Sequence, residues 1–102
     1  MNKIDLVVAR YNEDLNWLKK VPKNINIILY NKGNDDIKFK FIKLDNIGRE
    51  SHTYLYHIIN NYDKLADKTI FTQGDPFAHN PDFLEFLKKT DDFQKVQPLT
   101  YY

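Results

Sequence analysis

The spacing of apolar residues along this chain changes period several times. "KIDLVVAR", residues 3–10, is a short run of branched aliphatics, the pattern of a strand buried on both faces. "YNEDLNWLKKV" then places Leu15 and Leu18, with Trp17 beside them, at helical spacing. Asn12 is positioned to cap that helix, with Glu13 and Asp14 in its first turn, Lys19 and Lys20 in its last, and Pro22 to end it. "INIILY" returns to a strand pattern and closes in the turn "NKGNDD". Strand, helix and strand within about 30 residues is the size of a crossover unit.

"IKFKFIKL" alternates, with Ile37, Phe39 and Phe41 against Lys38, Lys40 and, roughly, Lys43. This predicts a half-exposed strand at a sheet edge guarded by lysines. "SHTYLYHIINNYDKL" predicts the longest helix, with Tyr54, Leu55, Ile58, Ile59, Tyr62 and Leu65 as its buried face and His57 at a surface or boundary position. "DKTIFTQ" is the next strand. "HNPDFLEFLKKT" predicts a helix capped by Asn80, with Pro81 at its first position and Phe83, Leu84, Phe86 and Leu87 on its apolar side. The tail "FQKVQPLTYY" adds a short strand or packs loosely. Alternating strands and helices predict a single α/β domain over residues 1–102, a small three-layer sandwich with a mostly parallel sheet. Ligands of such sheets sit beyond the carboxyl ends of the strands. The polar segments "ARYNED", "YNKGND" and "TQGDPF" should therefore gather on one rim.

Composition narrows the function classes. The 42% hydrophobic and 15% aromatic content supplies a core for one small domain. A formal charge of +1 argues against a strongly basic nucleic-acid binder and against a polybasic membrane partner. The chain has no cysteine, which excludes disulfides and thiolate–zinc sites. No segment has the apolar length of a membrane span, and the first residues lack a signal-peptide cleavage pattern, so the expected location is cytoplasmic. Nucleotide-cofactor glycine motifs, a P-loop and a nucleophile elbow are all missing.

Three stretches carry candidate chemistry. In "TQGDPF", Gly74 permits a turn tight enough for Gln73 and Asp75 to face one point. One carboxylate and one amide, completed by phosphate oxygens and water, could hold Mg2+ or Mn2+. The plainer alternative is an ordinary turn with Asp75 bonding its own backbone. In "NIGRESHTY", a glycine precedes a helix that opens with Arg49 and Glu50. Free N–H groups there, with the Arg49 fork, suit a phosphate. The alternative is a simple cap with Arg49 paired to Glu50 or Asp45. Arg10 and Arg49 are the only arginines in a lysine-rich chain, which points to a need for the planar guanidinium. His52 and His79 are candidate accessory groups for a metal or for proton transfer, although a structural role is the commoner fate of such histidines. Tyr11 stands at a strand end, where it could stack on a base or sugar.

"VVARYNEDLNWL", "YNKG" and "NIGRESHTYLYHIINNYDKLADKTIFTQGDPFAHNPDF" together resemble the family catalogued as domain of unknown function 3431. That resemblance runs from Val7 to about Phe83. "VVARYNED" is also similar to the opening strand and turn of nucleotide-sugar glycosyltransferases of the GT-A fold. The resemblance implies a truncated, Rossmann-like donor domain whose first strand end lies against the nucleotide, at Arg10, Tyr11 and Asn12. "TIFTQGD" then occupies the place of an Asp-X-Asp metal motif, with Gln73 matching its first acid and Asp75 its second. On that basis the expected function is glycosyltransferase-like binding of a nucleotide-sugar with a divalent metal, Mn2+ or Mg2+. Arg49 and Glu50 would lie at the phosphates. The alternative is a non-catalytic α/β binding or interaction domain in which Arg49, Glu50, His52 and Gln73 form a buried polar network.

Overall fold

The computed structural model describes residues 3–77 and 81–88, and the backbone of 96–98. The described strands are β1 (Ile4–Arg10), β2 (Ile25–Asn31), β3 (Ile42–Lys43), β4 (Lys68–Gln73) and β5 (Val96–Pro98). They form one sheet in the order β3-β2-β1-β4-β5, and every pairing is parallel. A 3-10 helix, Asn16–Lys20, joins β1 to β2. Helix α1 (Glu50–Asn60) and a 3-10 turn, Tyr62–Lys64, join β3 to β4, and α2 (Phe83–Leu87) follows β4.

All seven residues of β1 are buried because it is the central strand, paired with β2 on one edge and β4 on the other. Alternation along it divides the core. Ile4, Leu6 and Val8 pack with Leu15, Trp17, Leu18, Leu29, Ile70, Phe83 and Leu87, so the first 3-10 helix and α2 cover that face. Val7, Tyr30, Leu44 and Phe71 pack with Tyr54 and Ile58 of α1 on the other. The expected three-layer α/β sandwich is thus the observed one, with a sheet wholly parallel in its described pairings. Order 3-2-1-4-5 is that of a doubly wound sheet, and its switch point lies between the carboxyl ends of β1 and β4.

Several local expectations give way to tertiary contacts. The first helix is only the 3-10 segment Asn16–Lys20, and Asn12 does not cap it. Asn12 Oδ1 instead accepts the backbone N–H of Asn34, 2.9 Å away in the next loop. Trp17 is drawn inward by the edge-on rings of Phe77 and Phe83 and by its indole N–H, which donates to the Gly74 carbonyl at 2.8 Å. The alternating segment forms a ladder only at Ile42–Lys43, although Ile37, Phe39 and Phe41 still turn toward the core. Helix α2 begins at Phe83, with Asp82 in the capping position, and Asn80 lies outside the described residues.

The phase of α1 also differs from expectation. Thr53 and His57 face the sheet fully, while Leu55, Ile59 and Tyr62 are 58%, 71% and 75% exposed. The reason is polar. Asp5 and Tyr30 are buried under this helix, and Tyr30 Oη lies 2.7 Å from His57 Nδ1. The amide nitrogen Asn61 Nδ2, a donor only, also approaches Nδ1 at 3.5 Å. A leucine turned inward here would strand the Tyr30 hydroxyl.

Burial pushes the His57 pKa below the ordinary imidazole value of 6.5, with Asp5 partly opposing it, and burial raises that of Tyr30. The unfolded chain therefore takes up the His57 proton before the folded one does. The stability linked to this group is full above 6.5 and is lost as pH falls through the folded value. The melting temperature of the native chain should fall as pH is lowered below 6.5, whereas His57→Gln should start less stable and show a flatter pH profile. An equal slope in both proteins would show that His57 is not the titrating group.

Candidate anion-binding cleft

Parallel pairing sends β1, β2 and β4 out of the sheet at the same end, and the three polar loops do meet there. Their contact begins with a hydrogen-bonded cation. Arg10, the last residue of β1, is 8% exposed. Its Nη1 donates to Asn31 Oδ1 at 3.0 Å and to the Asn34 carbonyl at 2.8 Å, and its Nε donates to the Glu13 carbonyl at 2.9 Å. Asn31, fully buried at the end of β2, also donates from Nδ2 to the Asn34 carbonyl at 2.9 Å. The backbones come so close that a Cβ on Gly33 would run into the Tyr11 carbonyl oxygen and Asn12 Oδ1. Gly74, after β4, is similarly covered by the Glu13 side chain.

Above this junction a cleft of about 340 Å3 opens between the β1 and β2 ends and the start of α1. Arg10, Tyr11, Glu13, Lys32, Arg49 and Glu50 line it, with Gly48 and Thr53. Tyr11 is 51% exposed. Gly48 has φ +70°, a left-handed conformation that lets the chain turn sharply into the helix. Arg49 holds the capping position and has no acceptor to offer, and no side chain caps the helix. Among the described residues the Glu50 and Ser51 N–H groups have no hydrogen bond and keep their capacity for an anion, whereas the His52 N–H donates to the Arg49 carbonyl at 3.0 Å. Among the described residues the Arg49 guanidinium has no hydrogen bond or ion pair, so the expected alternative of pairing with Glu50 or Asp45 is not seen. Thr53 is 1% exposed, lines the cleft, and its hydroxyl has no hydrogen-bond partner among the described residues.

Lys32 is the residue the sequence did not single out. Its Nζ donates to the Ile47 carbonyl at 2.8 Å, the Arg49 carbonyl at 3.3 Å and His52 Nδ1 at 3.0 Å. It braces the loop before α1 and places a cation at the helix start. Burial lowers its pKa, and the Glu50 carboxylate partly offsets that shift. The available signal was its position three residues beyond Leu29, the last aliphatic of the second strand pattern, in a segment already placed on the rim.

The other candidates lie apart. Asn12 does not line this cleft, and His52 enters only through Lys32. Gln73 is half-buried at the end of β4, and Asp75 is exposed, with Oδ1 accepting the Phe77 N–H at 3.1 Å in a local turn. Neither lines the cleft, and no group of three His, Cys, Asp or Glu comes together for a metal among the described residues. His79 is outside the described residues. Among the described residues Arg49, Glu50, His52 and Gln73 form no shared network; buried hydrogen bonds instead join Arg10 to Asn31, Tyr30 to His57 and Trp17 to the Gly74 carbonyl.

The sheet order and the flanking helices define an α/β protein with a doubly wound, parallel sheet, and the cationic cleft lies at the strand ends beside its switch point. The chain belongs to the family described as protein of unknown function (DUF3431), whose model matches residues 6–100. No curated protein and no solved structure matched the chain. No helix among the described residues is long and apolar enough to cross a membrane.

Two substitutions test the junction. Arg10→Lys keeps the charge but cannot reproduce three directed bonds, and should cost about 2 kcal/mol by denaturant unfolding, against little for Arg49→Lys. Gly33→Ala should cost about 2 kcal/mol or more, because the added methyl meets backbone rather than a movable side chain. A neutral result for either would mean the loops are not locked together there.

Proposed function

We propose that the cleft holds the diphosphate of a nucleotide-sugar, in a glycosyltransferase-like domain. The observation that carries the reading is an unpaired guanidinium, Arg49, beside an uncapped helix start, a braced Lys32 and an unpartnered Thr53 hydroxyl. These groups suit phosphate oxygens, and Tyr11 offers an aromatic face for the base or sugar. In a transfer reaction, Lys32 and Arg49 would offset the negative charge that builds on the departing diphosphate. Arg10 would act mainly by fixing the loops, since its Nε and Nη1 donors are engaged there.

Asp75 and Gln73 are the candidate protein donors for Mn2+ or Mg2+, but neither lines the cleft, so they would reach the ion only if the bound diphosphate extended from the cleft to the end of β4. One carboxylate suffices only where phosphates and waters complete the shell. The ion would therefore arrive with the diphosphate, to which Arg49 is the hydrogen-bonding anchor, while Lys32, whose three N–H donors are engaged, adds charge alone.

Calorimetric titration of the full chain with uridine and guanosine diphosphates, with and without Mn2+, tests this. Lys32→Ala and Arg49→Ala should each weaken binding by about tenfold. Asp75→Ala should remove only the increment that Mn2+ adds. If neither nucleotide releases heat under any condition, the donor-site reading fails, and the non-catalytic alternative is what remains.

A further inference from the structure

A second cleft, of about 400 Å3, lies across Arg10 from the first. It runs between the loop ahead of the first 3-10 helix and the segment 36–39. Its chemistry differs from that of its neighbour. Buried Leu15 and half-buried Ile37 and Phe39 contribute an apolar surface. Asn12, Asp14, Asn16 and Asp36 stand exposed around it. Much of their hydrogen-bonding capacity is uncommitted. Asn12 uses Oδ1 for the Asn34 N–H, and Asp14 uses Oδ1 for the Asn16 N–H at 2.8 Å. The side chains of Asn16 and Asp36 have no hydrogen-bond partner among the described residues.

The charges lining this cleft balance. Glu13, Asp14 and Asp36 face Arg10, Lys19 and Lys38, and three of the five Arg10 N–H donors are taken up by Glu13, Asn31 and Asn34. A balanced, amide-rich rim offers no particular attraction to an anion. It offers paired donors and acceptors to hydroxyl groups, above a surface that suits the C–H face of a ring. We infer that this second cleft binds a neutral carbohydrate, through Asn12, Asp14, Asn16 and Asp36 around an apolar surface that includes Phe39. Arg10 and Glu13 line both clefts, so occupants of the two would be separated by little more than these side chains. That the carbohydrate is the acceptor of a sugar transfer rests on the donor reading of the first cleft; its binding here does not.

The test is a backbone-amide NMR titration of the full chain with maltotriose, with chitobiose and, separately, with pyrophosphate. Either sugar should produce saturable shifts at residues 12–16 and 36–39, with a millimolar dissociation constant, and leave residues 48–53 unmoved. Pyrophosphate should do the reverse. Asn16→Ala and Asp36→Ala alter exposed side chains and should leave unfolding unchanged while weakening the sugar about fivefold. Phe39→Ala is the less clean variant, because Phe39 also packs on the core. Absence of a saturable shift with both sugars overturns the inference, as does a pyrophosphate response at 12–16 and 36–39. Sugar binding without a pyrophosphate response would sink the donor reading alone; the opposite result would sink this one alone.

Discussion

The carboxyl end of this sheet depends on a buried guanidinium holding two loops that would otherwise separate. Arg10 ends the central strand, and its fork reaches Asn31, the end of the neighbouring strand, and carbonyl oxygens in both following loops. A charge at this depth is tolerable only when its donors are satisfied, and here the acceptors are mostly backbone. Fixing those carbonyls fixes the path of the chain on either side. The walls of both clefts follow from that, since Arg10 lines each of them.

The two clefts show how one set of strand ends can present opposite electrostatic characters. On the α1 side, Lys32 and Arg49 add cations and the helix start adds aligned N–H groups. On the other side, carboxylates and amides from the β1 and β2 loops balance the lysines. The division arises because the connections leave the sheet on opposite faces: the first 3-10 helix packs with one core and α1 with the other.

Much of the architecture was legible in the sequence. Period changes marked β1, β2, β4 and the position of α1, and parallel connectivity placed the three polar loops on one rim. Arg10 was found from the scarcity of arginine, but its role as a brace was not, because the acceptors are carbonyls that sequence does not distinguish. The phase of α1 was misread for a related reason. Hydrophobicity alone favoured Leu55 and Ile59 inward, whereas the buried Tyr30 hydroxyl required a polar group from the helix, which His57 supplies. The first helix was overextended because Asn12 is a good cap by type, yet its oxygen is taken by Asn34 from a distant loop. In "TQGDPF", sequence put a turn beside a metal site, and the turn is what the Asp75–Phe77 bond describes.

The near-contact of backbones at Gly33 has a mechanical consequence. With no side chain to act as a cushion, the loop after β1 and the loop after β2 bear directly on each other through the Tyr11 carbonyl. Neither can shift without pushing its neighbour. A displacement of the Tyr11 backbone would be passed to Gly33 and so to Lys32 beside it, which ties the footing of the aromatic wall to that of the ammonium group.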